Sequence, residues 1–80
     1  MADVSLRLFA SAREAAGTGK SMMTGNTVGD VLDAAVAAYG DHFGHLLPTC
    51  NVWRNGGPAE RSDRVIDGDE IAVLPPVSGG

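Results

Sequence analysis

The sequence is short of cysteine, aromatic residues and cations, and the cysteine and cation shortages each close a class of function. Cys50 has no second cysteine to pair with, so no internal disulfide staples the chain. That usage, with no signal peptide and no apolar run of membrane length, places the protein in a cytoplasm. With no CxxC partner, Cys50 is expected to be a small apolar side chain in a buried strand, not a redox centre or a nucleophile. Six Lys and Arg against ten Asp and Glu leave a formal charge of −4. Nucleic-acid binders show a basic surface, so binding to a phosphate backbone is not expected, whereas a partner with a basic docking face is. Repeats, linkers and low-complexity segments are also missing. Eighty residues then allow one domain with a single core, near the lower limit for a chain without staples.

Two motifs promise chemistry and fail on inspection. Ala15-Ala16-Gly17-Thr18-Gly19-Lys20-Ser21 has the look of a P-loop, but Glu14 stands where that pattern needs a small residue, and Met22-Met23-Thr24-Gly25-Asn26 is no helix. His42 and His45 are three residues apart and have no third ligand at matching spacing, so they read as solvated or capping side chains and no metal site is expected.

What is present is a pattern of strands around one helix. Val4, Leu6 and Leu8 alternate with Ser5, Arg7 and Phe9, which predicts a strand over 3–9. Phe9 falls on the polar face, either covering a loop or forming part of a contact surface. Residues 10–17 are helix-prone but short, with Gly17 as the stop, and 20–24 form a second, weaker strand. Thr27 and Asp30 are placed to form a capping box, Gly40 is expected as a left-handed stop, and Val28, Val31, Leu32, Ala35 and Tyr39 make an apolar stripe at helical spacing. Residues 41–47 add a short helical turn. Residues 50–54 read as a strand, Asn55-Gly56-Gly57 as a hairpin turn, and Pro58-Ala59-Glu60 as a short return. If Val52 faces inward, Trp53 lies on the open face. Val65 and Ile66 are expected to plug the core.

The chain closes on a tight turn, Asp67-Gly68-Asp69, and a half-buried strand, Glu70-Ile71-Ala72-Val73-Leu74. Pro75 and Pro76 end it, because neither has an N–H to continue a ladder. Val77, Ser78, Gly79 and Gly80 then form a thin tail; at about 3.3 Å per extended residue, 76–80 reach about 16 Å, enough to put a carboxylate inside another protein's active site. The expectation is a folded domain over 1–75 and a flexible tail over 76–80. The fold class is α+β: a mixed sheet with one main helix packed on one face, the first and last strands parallel at the centre, which is the β-grasp arrangement. Phe9, Ala72 and Leu74 then fall on the uncovered face near the root of the tail.

The segments Leu8-Phe9-Ala10 with Ala12-Arg13-Glu14 and Gly17, Asn55-Gly56-Gly57-Pro58, and Asp67 through Glu70 with Leu74-Pro75-Pro76-Val77-Ser78-Gly79-Gly80 together resemble the ubiquitin-like sulfur carriers (MoaD/ThiS type), within them the small subunit of molybdopterin synthase. The resemblance spans the chain. It implies that the Gly80 carboxylate, presented by Gly79, is adenylated by an E1-like adenylyltransferase (MoeB type) using ATP and Mg. A sulfurtransferase or other sulfur donor then leaves a thiocarboxylate. That group would serve the large subunit of molybdopterin synthase (MoaE type) in molybdenum cofactor biosynthesis. The chain alone would be non-catalytic and bind no cofactor, nucleic acid or membrane. By the same resemblance Phe9 and Leu74 would dock an apolar partner surface, the partner would hold Pro75, Pro76, Val77 and Ser78, and Asp67, Asp69 and Glu70 would meet basic residues. Asp67 and Asp69 also read simply as turn residues. Arg13 would pair near the acidic turn. Two rivals share the same ending: a sulfur carrier for another product, such as thiazole, cysteine or a natural product, and a protein modifier joined through Gly80 to lysines; a third, blander reading is a plain interaction domain with an inert end.

Overall fold

The computed structural model describes residues 1–76. The expectations placed on Val77, Ser78, Gly79 and Gly80 lie outside the described residues. Val4, Leu6 and Leu8 are the inward side chains of β1 (Ala2–Leu8), and all three are buried, as period-two alternation requires. The chain turns at Phe9 into α1 (Ala10–Ala16), which Gly17 ends at φ 77°, a value that suits a residue without Cβ. It returns as β2 (Lys20–Gly25), antiparallel to β1.

Thr27 caps α2 (Val28–Tyr39) reciprocally: the Asp30 N–H donates to Thr27 Oγ1 at 3.1 Å and the Thr27 N–H donates to Asp30 Oδ2 at 3.3 Å. The stripe buries Val28, Val31, Leu32 and Ala35 against the sheet, with Tyr39 packed at its edge. Gly40 is not a left-handed stop. Its φ of 96° is positive but its ψ is −173°, because it also serves as N-cap of α3 (Asp41–Leu46) and must turn the chain straight into a second helix. A 3₁₀ turn over Leu47–Thr49 leads to β3 (Asn51–Arg54), β4 (Gly57–Pro58) and finally β5 (Glu70–Leu74).

The five strands lie in the order β2-β1-β5-β3-β4. β1 and β5 pair in parallel at the centre, Leu6 opposite Ile71 and Leu8 opposite Val73, while β3 runs antiparallel to β5 with Trp53 opposite Ala72. This is the β-grasp arrangement. Val4, Leu6, Ile71 and Val73 are fully buried under α2, each contributing about 1.5–3 kcal/mol on leaving water.

Three local expectations are corrected. Cys50 is not in a strand: it ends the 3₁₀ turn, half-buried, with Sγ donating to the Leu46 carbonyl at 3.5 Å. Burial raises its thiol pKa, partly offset by the Thr49 hydroxyl, which keeps it protonated. Val65 plugs the core, but Ile66 is 67% exposed, because the turn that follows points it outward. The return strand begins one residue early, at Gly57, since the turn is completed by Asn55 and Gly56 alone, at φ 51° and 84°.

Candidate functional site

Alternation that buries Ile71 and Val73 necessarily sends Glu70, Ala72 and Leu74 to the other face of β5, which no helix covers among the described residues. On β3 the same rule packs Val52 against the core and leaves Trp53 36% exposed on the open face beside Ala72. Phe9, just past the end of β1, is 38% exposed, and its N–H donates to the Val73 carbonyl at 3.3 Å. Ala10 follows at φ 49°, a left-handed value that L-residues other than Asn and Asp rarely adopt. Together Phe9, Trp53, Ala72, Leu74, Pro75 and Pro76 line a shallow groove of about 560 Å³ that runs from the root of the tail to the Asn55-Gly56 turn. A contiguous apolar groove on the uncovered side of a small domain has the form that contact surfaces take. The fold thus brings Phe9, Leu74, Pro75 and Pro76 together, and adds Trp53, whose place on the open face the alternation already suggested.

The acidic residues divide. Asp69 is only 5% exposed and its carboxylate is consumed internally. It accepts from Asn55 Nδ2 at 2.9 Å, from the Ile66 N–H at 2.9 Å and from Arg54 Nη1 at 3.3 Å. These donors, the Asn55 amide foremost and then the Ile66 N–H, outweigh desolvation and hold its pKa below the ordinary carboxylate range. Asp67 Oδ1 accepts from the Asp3 N–H at 2.8 Å. Both serve the turn, but Asp67 stays exposed, whereas Asp69, with its oxygens bonded and buried, is not free to meet basic residues of a partner as expected. Glu70 alone is half-exposed on the groove, 3.5 Å from Arg7. Arg13 is not near the acidic turn. β1 and β5 are parallel, so the turn before β5 lies by the start of β1, where the Gly68 N–H donates to the Asp3 carbonyl, while α1 follows the other end.

His42 and His45 are both exposed on α3, and His45 Nδ1 donates to the Asp41 carbonyl at 2.9 Å, a local capping bond. Among the described residues no three His, Cys, Asp or Glu come close enough to hold a metal ion, and no helix is long and apolar enough to cross a membrane.

The model of the ThiS family matches residues 6–80. Small archaeal modifier protein 1 of Haloferax volcanii is 44% identical over 85 residues, spanning 92% of this chain and 97% of that protein. The solution structure of small archaeal modifier protein 1 from Methanosarcina acetivorans superposes with a TM-score of 0.91 at 33% identity, covering 100% of this chain and 98% of that one. A putative molybdopterin converting factor subunit 1 from Pyrococcus furiosus gives a TM-score of 0.85 at 23% identity over 96% of this chain and all of that one, a likeness of fold.

Proposed function

The chain belongs to the ThiS family of ubiquitin-like sulfur carriers, and from that premise we propose that the carboxylate of Gly80 is its reactive group, delivered to partners that dock on the groove at the tail root. A carboxylate is a poor electrophile until one oxygen becomes part of a leaving group. An E1-like adenylyltransferase supplies that step: a Gly80 oxygen attacks the α-phosphorus of ATP, with Mg, and pyrophosphate leaves. A lysine amine of a target protein then attacks the acyl carbon, AMP departs, and the product is an amide through Gly80. The observation that carries this reading is the exposed groove of Phe9, Trp53 and Leu74, which continues into Pro75 and Pro76. The protein modifier named among its relatives supports amide formation as the outcome.

A second reading shares the adenylate. Sulfur from a sulfurtransferase or another donor displaces AMP, leaving a thiocarboxylate, and the acceptor is the large subunit of molybdopterin synthase. The family match through residue 80 and the fold shared with a putative molybdopterin converting factor subunit favour it.

Mass spectrometry of the protein from its own cells separates the two. Because Arg64 is the last cation, trypsin leaves a Val65–Gly80 remnant on any modified lysine. Branched peptides bearing that remnant establish a modifier; an intact-mass gain equal to exchange of one oxygen for sulfur, placed at Gly80 by fragmentation, establishes a carrier. An unmodified mass with no branched peptide overturns both.

A further inference from the structure

The end of the sheet where the tail begins carries charge of the opposite sign to the molecule. Arg7 and Lys20 stand directly opposite each other across β1 and β2 on the open face. Arg13, on α1, lays its side chain over Gly19: a Cβ at that position would come within 3.2 Å of Arg13 Nε. The three line one hollow of about 330 Å³, with Phe9 as the wall it shares with the apolar groove. Half of the six cations of a chain of net charge −4 are thus gathered at one spot, and among the described residues no carboxylate lines the hollow.

This gathering works against folding. Like charges directly opposite on adjacent strands repel, and any small polar residue would satisfy the outward positions 7 and 20. Arg7 is held in place by the Phe9 ring, 5.6 Å from its guanidinium, and meets Glu70 at 3.5 Å on the side away from Lys20. Both partners of that pair are nearly half exposed, so it neutralises little of the local field.

Resting on the docking reading above, we propose that Arg7, Lys20 and Arg13 form the charged half of the docking face, and that the partner presents two or more Asp or Glu carboxylates beside the apolar element that enters the groove. The net charge pointed to a basic partner surface; the distribution of charge reverses that at the place where docking occurs. Carboxylates set between Arg7 and Lys20 relieve a repulsion the free protein carries, while a partner without them leaves it in place, so the pair both steers encounter and selects.

The test is steady-state pyrophosphate release by the adenylyltransferase of the same cell, with ATP saturating and this protein as varied co-substrate. The charge-reversal pair Arg7→Glu with Lys20→Glu is set against Arg64→Glu, an exposed cation outside the hollow, and folding of each is checked by thermal unfolding. The expected result is a KM for the double variant raised about tenfold or more, with kcat within about twofold and the salt dependence of KM flattened, while Arg64→Glu stays near the parent. Should the double reversal not fold, Arg7→Gln and Lys20→Gln give the same comparison. A KM equal to that of Arg64→Glu overturns the inference. A fall in KM also overturns it. Absence of pyrophosphate release with the parent protein is a different failure: it removes the adenylation reading, and this inference with it.

Discussion

Asn55 donates from Nδ2 to Asp69 Oδ1 at 2.9 Å, joining the β3–β4 hairpin to the acidic turn 14 residues further along. The same amide accepts the Glu70 N–H on Oδ1 at 2.9 Å, and the Asn55 N–H donates to the Glu70 carbonyl at 2.9 Å. One side chain at φ 51° thus fixes the far end of the docking groove, because Asn55, Gly56 and Glu70 all line it.

Replacing Asp69 by Ala removes three acceptor contacts from a buried site and strands their donors. The expected loss is about 3 kcal/mol in urea unfolding. Asn55→Ala should cost more than Asn55→Gly by about 1 kcal/mol, since both lose the amide but only Ala is strained at positive φ.

Asp69 also sets an acid limit. Its folded pKa lies below the unfolded value of about 3.9, so its contribution to stability is complete above that value and is lost as pH falls through the folded pKa. The stability gap between the parent and Asp69→Asn, measured by denaturant titration across the acid range, should therefore be constant near neutral pH and shrink below about pH 4.

Gly25 ends β2 under the first turn of α2, where a Cβ would lie 2.8 Å from Asp30 Cβ and 3.2 Å from the Val31 nitrogen. Asp30 is also half of the capping box. Gly25→Ala should cost about 1–3 kcal/mol by overpacking, and amide exchange in the first turn of α2 should quicken more than exchange in β5.

Tyr39 packs edge-on against Phe43 with ring centroids 5.3 Å apart, and its hydroxyl is buried with no hydrogen-bond partner among the described residues. Tyr39→Phe keeps the ring contact and removes an unsatisfied group. It is expected to be neutral or stabilising by up to about 1 kcal/mol in thermal unfolding.

Trp53, the chain's single tryptophan, reports directly on docking. Its emission should shift to the blue when the adenylyltransferase is added. Trp53→Ala should weaken that complex by about 2 kcal/mol, roughly thirtyfold.

Much of this fold follows from local sequence. Alternation from Val4 to Leu8 and from Glu70 to Leu74, the Thr27–Asp30 box and the Asn55-Gly56 turn each state their structure through near neighbours, because period, cap and positive φ are properties of a few adjacent residues. The same rules were enough to put Phe9, Ala72 and Leu74 on one face. Tertiary structure decided what depends on residues far apart in the chain. Asp69 reads as a surface turn acid until Asn55 and Arg54 fold over it; Ile66 reads as core until its turn points it to water. Arg7, Arg13 and Lys20 are spaced without pattern along the sequence and become one cationic hollow only when β2 returns beside β1 and the Arg13 side chain lies over Gly19. Charge acts through space, and no count along the chain could place it.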